Sequence, residues 1–176
     1  RAEPLAEVLC RRLIPASASI DNSTERLQVE LVSGNSFSML GVKPALGRVF
    51  NSQEDDQVYQ GHPVAVLSYD YWVSRFASDR NVIGKKILIN DSPITIVGVS
   101  AAGFAGIDPA QSPQIRVPIL MKTAMTPEWT WLRMDDRRAR WVQVFARLKP
   151  GYTVESARVP LQGLFTPIRT DEMTLP

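Results

Sequence analysis

The stretch KKILINDSPITIVGV (Lys85–Val99) decides the fold class. Lys85–Asn90 and Ile94–Val99 are β-rich runs, and Asn90-Asp91-Ser92-Pro93 between them are turn formers. Branched side chains pack well on a pleated surface, whereas Asn, Asp, Ser and Pro favour turns. The stretch predicts an antiparallel hairpin, the most regular β element of the chain. Gly98 interrupts the second run and predicts a bulge or a close approach of another backbone.

On the N-terminal side, Val64–Leu67 reads as a short buried strand. Ser68 then caps the helix YDYWVSRF, whose apolar face is Tyr71, Trp72 and Phe76. Asn51–Gly61 is a polar, acidic surface loop that ends in the turn Gly61-His62-Pro63. Further back, Leu27–Val32 (LQVELV) reads as a strand. Asn35 or Ser36 caps a short helix, SFSML, which Gly41 closes because it tolerates positive φ.

On the C-terminal side, Ser100–Pro113 is a long Ala/Gly/Pro loop, and Ile115–Met121 returns as a strand with Pro118 at an edge or bulge. Thr126-Pro127 predicts a helix carrying Trp129, Trp131 and Leu132. Trp141–Leu148 (WVQVFARL) alternates as a strand, and Thr153 caps a final helix running toward Arg169. On that helix Val154, Ala157, Leu161 and Leu164 are spaced to cover the sheet, with a kink or break expected at Pro160.

The 176 residues are 44% hydrophobic and 22% charged, with a net charge of +2, which suits one compact domain or two small lobes. So even a balance gives no drive toward nucleic acid. The lone Cys10 excludes an internal disulfide. No run approaches the roughly 20 apolar residues of a membrane-spanning helix, and the start lacks the apolar region of a secretory signal.

Chemical motifs are sparse. A nucleophilic triad needs an imidazole held beside Ser or Cys, and the only histidine, His62, sits in a turn between Gly and Pro. A zinc site needs several Cys or His ligands. Glu54-Asp55-Asp56 lacks the spacing of a calcium loop and reads as a solvated acidic loop. Around Gly84-Lys85-Lys86 a phosphate-binding loop fails twice, at Asp79 and at Lys86. Asp135 and Asp136 are adjacent, so their side chains diverge, and with Arg137 and Arg138 they read as a surface ion-pair cluster. No catalytic, cofactor or metal residue is assigned. The one combination suited to a partner is Trp129, Trp131, Arg133, Arg137 and Arg138, since Trp and Arg dominate binding hot spots. Burial of the tryptophans in the core is the competing reading.

Three blocks, Val32–Phe50, Gly61–Phe104 and Trp141–Arg158, together resemble the periplasmic core domain of MacB-type (FtsX-like) ABC transporter permeases. The similarity covers most of 25–164. It implies an α+β, two-lobed extracytoplasmic domain: a β-rich insertion lobe plus a partial porter-like βαβ lobe. On that pattern residues 1–27 are a partial porter-like segment or linker, 28–125 the insertion lobe, and 126–176 the connector and second porter-like βα half. The resemblance also implies a non-catalytic periplasmic role: transmitting conformational change, or contacting partner or cargo, during ATP-driven export. The implied partners are a second permease copy, a cytoplasmic ATPase reached through membrane helices and, in some members, a periplasmic adaptor. The alternative is a free-standing extracytoplasmic binding or adhesion module.

Overall fold

The computed structural model describes residues 4–129, 131–134, 136 and 139–174, the last four by backbone alone. Among these residues eight strands form one mixed sheet: β1 Leu5–Ile20, β2 Ser23–Val32, β3 Pro44–Gly47, β4 Val64–Leu67, β5 Lys86–Ile89, β6 Ser92–Ser100, β7 Ile115–Pro118 and β8 Gln143–Leu148. The hydrogen-bonded path runs β2-β7-β4-β6-β5-β1, and β1 also pairs with β2, so six strands close on themselves. β3 joins from β6 and β8 from β1. Most neighbours are antiparallel; β2–β7 and β4–β6 are parallel. Closure removes free edges from these six strands. Their alternate side chains, among them Ile14, Val29, Ile89, Ile96 and Val117, fill the interior.

The hairpin forms as β5 and β6, with a tighter turn than the four polar residues suggested. Ile89 pairs with Ser92, so Asn90 and Asp91 alone make the turn, at φ of 45° and 63°. Both residue types tolerate that left-handed region, and such turns match the strand twist. Ser92 and Pro93 belong to β6.

Gly98 does mark a close approach. A Cβ there would lie 1.8 Å from the carbonyl oxygen of Arg48, where the chain leaving β3 crosses β6. The ladder between β4 and β6 shifts register at the same place, between Ala65 and Val66.

β1 is the element the sequence reading passes over. Its first half pairs with β8 (Leu5↔Leu148 to Arg11↔Gln143), and its second half pairs with β2 and β5. Ile14, Ala16, Ala18 and Ile20 alternate inward with Pro15, Ser17 and Ser19 between them. Asp21-Asn22 turns the chain into β2 at φ of 50° and 62°.

The helices α1 (Ser36–Leu40), α2 (Tyr69–Phe76), α3 (Lys122–Met125) and α4 (Val154–Thr174) complete the domain. Ser68 caps α2 by accepting the Tyr71 N–H, and Tyr71, Trp72 and Phe76 are buried as expected. Gly41 closes α1 at φ 70°.

Three helical expectations fail. Neither Asn35 nor Ser36 caps α1 through its side chain; Asn35 instead accepts from Ser33 Oγ and donates to the Val8 carbonyl. No helix begins at Thr126-Pro127. α3 ends there instead, with Thr126 at φ −132° and ψ 64°, because the proline ring disfavours helical geometry in the residue before it. The packing predicted for α4 also fails: Ala157 is buried, but Val154 and Leu164 are exposed and Leu161 only half-buried. α4 runs through Pro160 and Pro167 without a break. Its exposed turns leave water to satisfy the carbonyls that proline orphans.

Candidate functional site

The partner-surface candidates fall in the segment after α3. Lys122 is buried, and its ammonium donates to the carbonyl oxygens of Trp129, at 3.2 Å, and of Leu132. An internal ammonium thus does for this loop what a helix ladder would have done. Leu132 is buried, and Trp129 is half-buried against the main core with the Arg12 guanidinium 5.2 Å from its ring centre. Between these two anchors Trp131 is 73% exposed. Arg133 is exposed beside it, and with Trp129, Tyr59, Thr123 and Pro127 it lines an open cleft of about 530 Å³. The structure therefore separates the two tryptophans: Trp129 holds the loop and Trp131 is presented. Arg137 and Arg138 lie outside the described residues.

A second feature has no counterpart in the sequence reading. Glu30 on β2 sits between two arginines. Arg11 Nη1 on β1 donates to Oε1 at 2.8 Å, and Arg116 Nε on β7 donates to Oε2 at 2.9 Å. Glu30 and Arg116 are each 2% exposed, and Arg11 is buried as well. Arg11 Nε continues to Gln143 Oε1 on β8 at 2.9 Å, and its guanidinium lies 5.7 Å from the Phe145 ring centre. Four strands, β7-β2-β1-β8, are thereby linked by one chain of charge-assisted bonds. Burial pulls the Arg116 guanidinium below its ordinary pKa, against the raising effect of Glu30. A visible signal existed: Glu30 and Arg116 interrupt runs whose neighbours are apolar on both sides, LQVELV and IRVP.

The remaining polar candidates turn out to be structural. His62 Nε2 accepts the N–H groups of Gln57, at 3.2 Å, and Val58, at 2.9 Å. The acidic loop is not simply solvated: Asp55 is buried and grips Arg48 through both oxygens, at 2.7 and 2.9 Å, and Asp56 accepts the Gly34 N–H at 2.8 Å. Burial pushes the Cys10 thiol up, which disfavours the nucleophilic thiolate. Among the described residues no group of three His, Cys, Asp or Glu side chains is placed to hold a metal ion. No helix among them is long and apolar enough to cross a membrane.

A model of the MacB-like periplasmic core domain matches residues 3–164. The chain belongs to that family. It is thus the extracytoplasmic, periplasmic domain of a MacB-like ABC transporter permease. The architecture agrees. The periplasmic region of MacB from Actinobacillus actinomycetemcomitans superposes with a TM-score of 0.69 at 16% identity, over 96% of this chain and 69% of that one. The extracellular domain of the noncanonic ABC-type transporter YknZ from Gram-positive bacteria gives 0.70 at 12% identity, over 96% and 79%. At such identities the likeness speaks for the α+β fold alone. Among curated proteins, none matches this chain in sequence.

Proposed function

We propose that this MacB-like domain is a non-catalytic module that carries conformational change between its β-barrel and the β8–α4 segment during ATP-driven export. The observation that supports this most is the chain Arg116–Glu30–Arg11–Gln143, buried at its three charged members and reaching the surface at Gln143. Displacing β8 would disturb a desolvated ion network that reaches β7, and such networks tolerate partial rupture poorly. In this reading residues 28–125 are the insertion lobe and 126–176 the connector and second porter-like half. β1 then passes between them as a shared strand. The working assembly is a dimer of permeases driven by a cytoplasmic ATPase, with a periplasmic adaptor where cargo requires one. Trp131 and Arg133 are the surface that meets such a partner, an exposed tryptophan on a pinned loop being suited to a binding hot spot.

The test uses the intact permease. Gln143→Ala removes the last link at an exposed position, and Phe145→Ala removes the ring beneath Arg11. Both variants should insert, fold and bind ATP, yet lose most ATP-driven transport. Folding is confirmed first, because truncating a well-packed Phe costs up to about 3–5 kcal/mol. Wild-type transport by both folded variants would take the β1–β8 junction out of the coupling path.

A further inference from the structure

The ion chain leaves one end open. Arg11 spends its donors on Glu30, Gln143 and, at 4.0 Å, Asp108. Arg116 spends only Nε. Its Nη1 and Nη2 are buried and have no hydrogen-bond partner among the described residues, and neither has the buried Oγ of Ser36. Arg116 and Ser36 line one small cavity beneath the loop that follows β6, walled by Phe37, Phe104 and Ile107, with Arg11 and Glu30, whose own bonds are to each other, Gln143 and Arg116 Nε, on its remaining side. The Phe104 ring centre lies 4.6 Å from the guanidinium carbon, and a Cβ on Gly106 would come within 3.0 Å of Nη2. The room inside, about 10 Å³, is that of a single water-sized particle.

The compensating negative charge is unevenly placed. Two guanidinium groups share one carboxylate, and Asp108 stands on the Arg11 side at the edge of solvent, with 36% of its side chain exposed. Both unspent donor nitrogens belong to Arg116. Leaving buried donors unpaired is costly, and leaving them on an undercompensated cation is more so.

We propose that this cavity binds one small monovalent anion of chloride size, held by Arg116 Nη1 and Nη2 and the Ser36 hydroxyl. The volume excludes sulfate, phosphate and carboxylates, and the two cationic donors favour an anion over a neutral water. The anion completes the ion chain and fastens the Phe104–Ile107 segment over it.

Two experiments decide this on the purified domain. Crystals grown in sodium bromide should show an anomalous peak within hydrogen-bond reach of Arg116 and Ser36. At constant ionic strength, chloride at about one hundred times its Kd should raise the melting temperature by about 5–10 °C over gluconate. Ser36→Ala, which keeps both arginines, should weaken that chloride response while preserving the fold. A site that scatters as water in bromide, or equal melting temperatures in chloride and gluconate, would overturn the proposal. Arg116→Met serves as a further check wherever it folds: its melting temperature should not respond to chloride.

Discussion

Replacing Glu30 by Gln changes no volume but removes the only carboxylate that two buried guanidinium groups share. In the native protein Oε1 and Oε2 each accept one charge-assisted bond, at 2.8 and 2.9 Å, in a setting almost closed to water. The Gln oxygen still accepts from one arginine. Its NH2 group then faces the donor of the other, so an attraction becomes a repulsion between donors. Breaking a buried ion pair from one side costs about 3–5 kcal/mol, a large part of the roughly 5–15 kcal/mol that holds a domain folded. At about 2–4 °C per kcal/mol for a domain of this size, the melting temperature should fall by about 6–20 °C. Urea unfolding followed by tryptophan fluorescence measures the change, with an unaltered m-value showing that the same surface unfolds. The triple replacement Arg11→Met, Glu30→Leu, Arg116→Met should recover much of the loss, since an apolar substitute of similar volume spares the desolvation of three charges. A Glu30→Gln domain within about 1 kcal/mol of wild type would refute the view that this network ties the strands together.

Other changes have different signatures. Gly98→Ala puts a methyl group 1.8 Å from the Arg48 carbonyl, so the β3–β6 crossing must open; a melting-temperature drop of several degrees is expected, and none would mean the crossing yields freely. Lys122→Met strips the internal donor from the Trp129 and Leu132 carbonyls, which should quicken proteolysis and amide exchange in 126–134 well before the barrel unfolds. Cys10, with its thiol pKa raised by burial, should react with iodoacetamide at pH 8 far more slowly in the folded domain than in urea. Trp131→Ala should leave stability within about 0.5 kcal/mol, as exposed positions usually do, while lowering affinity for any partner captured by the intact permease.

What the sequence disclosed and what it hid follow a physical line. Local signals sufficed wherever a residue type acts on its own neighbourhood. Ser68 caps α2 and Gly41 closes α1, each through chemistry within a few residues, and Gly98 announces a close approach without naming the distant backbone, that of Arg48, which makes it. The failures are non-local. Pro127 was as compatible with a helix start as with a helix stop, and the decision came from the turn before it and from a lysine side chain reaching seven and ten residues onward. The ion chain joins residues 11, 30, 116 and 143, and no spacing rule relates positions so far apart. β1 escaped notice because its inward residues include two alanines and it carries two adjacent arginines, Arg11 and Arg12. One of them is a core member only because Glu30 lies across the ladder. The family resemblance reached the fold where periodicity did not. The cluster of tryptophans and arginines was visible in composition, but only the fold separates Trp129, which packs on the core, from Trp131, which is exposed.

The pairing of β8 with β1 limits how motion can pass through this domain, on the reading that motion passes at all. A slip of one residue along an antiparallel ladder turns every side chain to the opposite face. Here such a slip would move Gln143 away from Arg11 and carry the Phe145 ring off the Arg11 guanidinium. That cost makes sliding a poor carrier of movement. A tilt of the β1–β8 ribbon as one body costs less, because the ladder and the Arg11–Gln143 bond travel together and strain concentrates where β1 enters the barrel. β1 offers such a place at Ile14–Pro15, where pairing with β8 has ended and pairing with β5 has not begun. Pro15 contributes no N–H there, so that stretch is held mainly from the β2 side. A disulfide engineered between β1 and β8 should therefore leave transport by the intact permease unimpaired, since it fixes a pair that moves together. A disulfide joining β1 near Pro15 to a residue of β5 should arrest transport while ATP binding persists. Arrest by the first cross-link and freedom under the second would reverse this assignment and make sliding the mode of transmission.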